Sequence, residues 1–155
     1  MQKPKQLRQV LTDSVPLLQR NPDSLNMFID GGRIASTLAS SLSFEYQYQL
    51  NLVVTDYGDD LDVLIVPLLA WLRENQPDIM ANEEKRRTGI TFKADVLSDT
   101  LCDISIDLQL TERVIVKQEG EALHVTHAGE NPLPDNVARP TQLYADGELV
   151  SGLQL

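Results

Sequence analysis

Residues 44–54, FEYQYQLNLVV, alternate apolar and polar side chains without a break. Successive side chains of a strand point to opposite faces. Phe44, Tyr46, Tyr48, Leu50, Leu52 and Val54 therefore share one face, and Glu45, Gln47, Gln49 and Asn51 share the other. The second face is mostly uncharged amide, which suits water, a neighbouring subunit or a catalytic cleft. The period then changes. In residues 56–78, DYGDDLDVLIVPLLAWLRENQPD, Leu61, Leu64, Ile65, Leu68, Leu69 and Leu72 recur at intervals of three and four, the spacing of an amphipathic helix. Asp59 or Asp60 caps its first turn, and Pro67 removes an amide opposite the Val63 carbonyl and predicts a kink. Trp71 falls at the edge of the apolar stripe, where it either seals a core boundary or enters an interface.

The remaining segments follow the same logic. Leu7, Val10, Leu11 and Leu18 predict a helix over 4–20, broken near Asp13–Pro16. Asp30-Gly31-Gly32 predicts a hairpin turn between strands at 25–30 and 33–39, with a short helix from Pro22 as the rival reading. Ile90, Phe92, Ala94 and Val96 are expected to point inward from a strand that pairs with a second, 101–110. That second strand extends through Thr111–Lys117, with a bulge or bend near Glu112–Arg113. Gly120 precedes a short strand at 122–127. Residues 128–140 are rich in glycine and proline and predict an extended linker. An Asp-Gly turn within 142–150 predicts a closing hairpin that must dock on something, because two strands alone are marginal. The expected organisation is an α+β core domain over 1–127, a linker over 128–140 and a C-terminal hairpin arm over 141–155. The sheet is expected to be mixed or antiparallel, with helices packed on one face.

Composition narrows the function. The chain has 155 residues, and its single cysteine, Cys102, excludes an internal disulfide and a one-chain thiolate cluster. Cys102 sits in the alternating register of Ile104, Ile106 and Leu108, a core position. A formal net charge of -10 repels nucleic acid and anionic membranes. The densest basic run, Lys85-Arg86-Arg87, reads as a solvated loop. No apolar stretch is long enough to span a bilayer, and the first residues lack the pattern of a signal peptide.

Catalytic candidates are thin. His124 and His127 face opposite sides of a strand and match no zinc spacing. Asp103 and Asp107 are separated by roughly 13 Å of strand rise, too far for a close carboxylate pair. Asp56, Asp59, Asp60 and Asp62 lack the glycine and closing glutamate of a calcium loop. No catalytic, metal-binding or cofactor-binding residue is assigned, and no cofactor is expected.

The chain resembles the tail completion protein R family of temperate contractile-tailed phages and related prophages. The likeness is carried by LRQVLTDSVPLL at 7–18, FIDGGRIASTLASSLSFEYQYQLNLVVTDY at 28–57, DVLIVPLLAWLRENQPDIM at 62–80, GITFKADV at 89–96, DISIDLQLTERV at 103–114, ALHV at 122–125 and RPTQLYADGELVS at 139–151. The resemblance implies a structural, non-enzymatic protein with a tail-terminator-like fold. It would cap the head-proximal end of the tail tube and permit head–tail joining. It further implies partners among tail tube and sheath proteins and other completion or neck proteins. A homo-oligomeric ring, with six as the candidate subunit number, is inferred from that role. Neither sequence-specific nucleic-acid binding nor membrane association is implied. The implied location is the virion tail, after assembly in the bacterial host cytoplasm. The contact residues expected on this basis are Glu45, Gln47, Gln49, Asn51, Trp71, Leu143, Tyr144, Leu149 and Val150. A monomeric tail or neck adaptor is the alternative, followed by a metal-dependent hydrolase built on the 56–62 aspartates.

Overall fold

The computed structural model describes residues 1–130, 138–153 and 155. Two helices, α1 (Lys3–Ser14) and α2 (Pro16–Arg20), meet at Val15. Pro16 forces this break, because proline restricts the residue before it to extended backbone, and Val15 has φ -100 and ψ 119. After a 3-10 turn at Pro22–Ser24 come β1 (Leu25–Ser36) and β2 (Phe44–Tyr57). Next are α3 (Leu61–Asn75), α4 (Asp78–Ala81) and α5 (Glu83–Thr88). Then follow β3 (Ile90–Val96), β4 (Cys102–Glu119), β5 (Ala122–Ala128), β6 (Gln142–Ala145) and β7 (Glu148–Gly152).

The main sheet runs β1-β2-β4-β3, and β5 continues on the β3 side of β4. Every pairing is antiparallel. β4 is long enough to pair with β3 through its first half and with β5 through its last. The apolar face of β2 and β4 meets α1, α2 and α3 in one core. Leu50, Leu52, Val54, Ile104, Ile106 and Leu108 pack there with Leu7, Leu11, Leu18, Leu64, Leu68 and Leu72. The expected α+β class, with an antiparallel sheet and helices on one face, is the observed one. Asp60 caps α3 by accepting from the Asp62 amide at 3.2 Å, and Pro67 lies inside that helix.

Several expectations are corrected. β1 is one continuous strand, with an irregularity between Ile29 and Gly31 in place of a hairpin. Both halves of the segment pair with the long β2, which offers a ladder twice the length of a closed hairpin. The β2–β4 register runs unbroken past Glu112 and Arg113, and its shift lies between Val54 and Tyr57, where Asp56 takes φ 53. Lys85, Arg86 and Arg87 are helical rather than looped, because Asn82 caps α5 by accepting from the Lys85 amide at 3.1 Å. Phe92, Ala94 and Val96 share a side with the core but are exposed, since the helices do not reach the edge strand β3. Trp71 is buried in the main core rather than at its boundary, and Cys102 is only half-buried.

β6 and β7 form the closing hairpin around Asp146 and Gly147, both at positive φ, as a two-residue turn of this hand requires. Leu143 and Leu153 pack on Val63 of α3, with Ala145 and Val150 beside them. The linker expected at 128–140 falls largely on residues 131–137, outside the described residues. On either side, Glu130 pairs with Lys3 at 3.0 Å and Arg139 with Glu74 at 2.7 Å.

Candidate protein-contact face

β2 places Glu45, Gln47, Gln49 and Asn51 on the side away from the helices, each half-buried by its cross-strand neighbours. The side chains are laced across the sheet. Arg33 Nε donates to Gln47 Oε1 at 2.5 Å, and Gln47 Nε2 donates to Glu45 Oε1 at 2.7 Å. Gln109 Nε2 donates to Gln49 Oε1 at 3.1 Å. Asn51 Nδ2 donates to Asp107 Oδ1 and Ser105 Oγ, both at 2.8 Å. These bonds fix the rotamers of long polar side chains, so a partner would meet a preordered surface rather than pay to order it. An amide carries both donor and acceptor groups. Such a face can select a partner by hydrogen-bond pattern with little net charge.

One end of this face is a cleft of about 710 Å³. Gln47, Gln49, Gln109 and Thr111 line it, between the Asp30–Arg33 bend of β1 and Asp78, Lys85 and Gly89. Lys85 Nζ donates to Asp78 Oδ2 at 2.5 Å and ties α5 to α4. Burial alone would raise the Asp78 carboxyl. The hydrogen bonds from Lys85 and Gln76, with the Lys85 and Lys3 charges, outweigh it and hold Asp78 below its ordinary value. The same pairing raises Lys85.

A buried polar hub stands behind the cleft. Among the described residues no strand pairs with the edge of β4 between β3 and β5, and the Gln76 side chain takes that place. Its Oε1 accepts from the Thr111 amide at 3.0 Å and from Lys3 Nζ at 2.7 Å. Its Nε2 donates to Thr111 Oγ1 at 3.0 Å and Asp78 Oδ1 at 2.7 Å. Glu112, 5% exposed, accepts from Tyr48 Oη at 2.6 Å through Oε2 and from the Gln2 amide at 2.7 Å through Oε1. Burial, then the Glu112 hydrogen bond and charge, push the Tyr48 phenol well above its ordinary range, so it remains a donor. Sequence reasoning missed this hub. Its signal is a charged residue in the apolar register of Ile104, Ile106, Leu108, Leu110, Val114 and Val116, since a carboxylate at such a position requires buried partners.

The other expected contact residues are divided. Tyr144 and Leu149 are exposed on the terminal hairpin, Val150 is half-buried, and Leu143 is buried against α3. Trp71, 3% exposed, belongs to the core. The titratable candidates are dispersed. His124 lies 3.5 Å from Glu119 and His127 lies 3.9 Å from Glu112. His124 is paired to Lys117 and His127 to Val114, so the two rings take opposite faces. Asp103 accepts from the Asp56 amide at 2.9 Å. Among the described residues no group of three or more His, Cys, Asp or Glu side chains could hold a metal ion, and no helix is long and apolar enough to cross a membrane.

A family model described as P2 phage tail completion protein R (GpR) matches residues 1–132. The tail completion protein R of Escherichia phage P2 is 57% identical over 151 residues, covering 97% of this chain and 97% of that protein. No solved structure matches.

Proposed function

Because the chain belongs to the phage tail completion protein R family, we propose that it caps the head-proximal end of the tail tube and permits the tail to join a head. It is a tail completion protein and a structural one, working by fitting other proteins. Tube subunits that stack head to tail present the same face after every addition, and such heterologous contacts continue until something ends them. The capping protein must match that face and refuse a further layer.

The observation that carries the contact assignment is the amide lattice of β2, with Glu45, Gln47, Gln49 and Asn51 held by cross-strand bonds on the side the helices leave open. We assign these four residues to the tail contact, with Tyr144 and Leu149 of the hairpin as a second point of attachment. Trp71 and Leu143 act inside the fold. We divide the chain into a core over 1–127, a linker over 128–140 and an arm over 141–155, and the arm presents Tyr144 and Leu149 from its seat on α3. Six copies in a ring would match a tube of six-fold symmetry. The tail tube, sheath and neck proteins are the partners, and the finished virion tail is the location.

The test is imaging of particles assembled without the protein. Tails with abnormal ends that fail to join heads are expected, and normal infectious particles would overturn the function. Complementation with Gln47→Arg and Gln49→Arg tests the contact face. Folded variants that restore joining fully would remove that assignment while leaving the capping role.

A further inference from the structure

The segment whose sequence predicts a hairpin keeps the signature of one. Around Gly31 and Gly32, residues 25–38, LNMFIDGGRIASTL, are chemically self-complementary. Asp30 mirrors Arg33, Ile29 mirrors Ile34, and Leu25 mirrors Leu38. In the fold the two halves do not close on each other. β1 runs straight through, and among the described residues no strand pairs with its outer edge. Phe28, 52% exposed, lies on the amide side of that edge, and Ile29 and Ile34, 43% and 66% exposed, lie on the helix side. Exposure on both sides of one strand means that the missing contact lies beyond the edge rather than over one face.

We propose that β1 of one copy pairs antiparallel with β1 of a second copy across a two-fold axis, joining their sheets edge to edge. The β1 bulge makes the register possible. In an uninterrupted strand, residues five apart face opposite sides. The irregularity at Asp30 lets Ile29, paired to Leu50, and Ile34, paired to Tyr46, share a side. With the axis at Gly32, Ile29 opposes Ile34 of the second copy, Phe28 opposes Ala35, and Arg33 opposes Gly31 beside the bulged Asp30. Gly32 already has no room for a side chain, since a Cβ there would lie 2.9 Å from that of Tyr48.

Charge favours the same arrangement. Among the described residues, Asp30 and Arg33 make no ion pair, and Arg33 is held only through Nε by Gln47. Two cross-copy pairs would form, one on each side of the axis. A net charge of -10 opposes association of two copies, whereas β1 carries one acid and one base and is locally neutral. The opposite side of the sheet fits less well as the partner. Its two strands, β3 and β5, have 7 residues each against 12 in β1, and Lys93 stands at the middle of β3, a common guard of open edges. A two-fold contact cannot belong to a ring whose copies all face one way, so this pair is a state of the protein off the tail, and the inference stands or falls separately from the tail role.

Sedimentation velocity of the full chain across a concentration series is the test, with circular dichroism to verify folding. A dimer is expected. Arg33→Asp alone and Asp30→Arg alone should each weaken it by at least about tenfold, since like charges then face each other. The double reversal exchanges the two ends of each pair and should return the affinity to within about threefold of the original. In a Cys102→Ser background, Ile29→Cys with Ile34→Cys should oxidise to a covalent dimer, and neither cysteine alone should. A monomer at about 100 μM, a double reversal no better than the single ones, or a dimer whose paired cysteines at 29 and 34 fail to cross-link would each overturn the pairing.

Discussion

Glu112→Ala tests whether the buried hub holds the fold together. The carboxylate accepts at 2.6 Å from Tyr48 and at 2.7 Å from the Gln2 amide, with a weaker contact at 3.4 Å from the Lys3 amide. A hydrogen bond to a charged group contributes about 1.5–3 kcal/mol, and a buried group left without a partner costs about 1–3 kcal/mol. The Gln2 amide lies in an exposed residue and can turn to water, so its loss belongs at the low end. The Tyr48 hydroxyl, in a residue 4% exposed, has no such recourse. The expected loss is about 3–5 kcal/mol, read as a fall in the urea midpoint with an unchanged slope. At about 2–4 °C per kcal/mol for a chain of this size, the melting temperature falls by roughly 6–20 °C. The informative comparison is Glu112→Ala with Tyr48→Phe. Removing the orphaned hydroxyl should recover about 1–2 kcal/mol, so the double variant is more stable than the sum of the single costs allows. Additive costs, or a loss below about 1 kcal/mol from Glu112→Ala, would refute the hub.

Gly89→Ala should cost about 1–3 kcal/mol in chemical denaturation, because a Cβ there would run into the Lys85 carbonyl and the Ile79 side chain; an unchanged midpoint would count against that close packing. Tyr48 and Tyr57 are both raised, chiefly by burial, then by Glu112 at Tyr48 and by Asp59, Asp60 and Cys102 at Tyr57. Phenols of the unfolded chain ionise near pH 10, so stability is intact below that and falls above it by up to about 1.4 kcal/mol per unit per phenol. Tyr48→Phe should flatten that alkaline slope in urea titrations at pH 9–11. Asp78, held low, contributes stability above the ordinary carboxylate value that is lost as pH falls through its own, so Asp78→Asn should reduce the acid sensitivity of α4 and α5 seen by hydrogen exchange. Leu143→Ala should release the terminal hairpin from Val63 and speed proteolysis within 141–155, while the main sheet keeps its protection.

The two long periodic segments were legible because burial imposes their pattern. Alternation in β2 and the three-four spacing in α3 each require a covered face, and the core joins the two. The proline break at Val15 was equally local in origin. What could not be read was decided at a distance. Gln76 ends a helix, and nothing in its neighbourhood announces that it will occupy the open edge of β4 near Thr111. Phe92 and Val96 obey strand alternation perfectly, yet the pattern alone cannot say how far the helical layer extends over the sheet. The amide face was placed correctly on β2, but its lacing needed Arg33, Ser105, Asp107 and Gln109 from two other strands.

The error at Gly31–Gly32 says the most about the molecule. Local chemistry there favours a turn with Ile29 facing Ile34 and Asp30 facing Arg33, and the long ladder of β2 overrides it by accepting both halves in line. A conflict between local preference and the global fold usually carries a cost. Here the cost takes a visible form, with apolar side chains exposed along an edge that no strand among the described residues covers. A second copy of the same segment can satisfy the complementarity that the first leaves unused, because a sequence that matches itself when folded back also matches its twin when extended. That equivalence underlies exchange of elements between protomers. It makes the open edge of β1 a consequence of the same residues that misdirect a reading of the sequence.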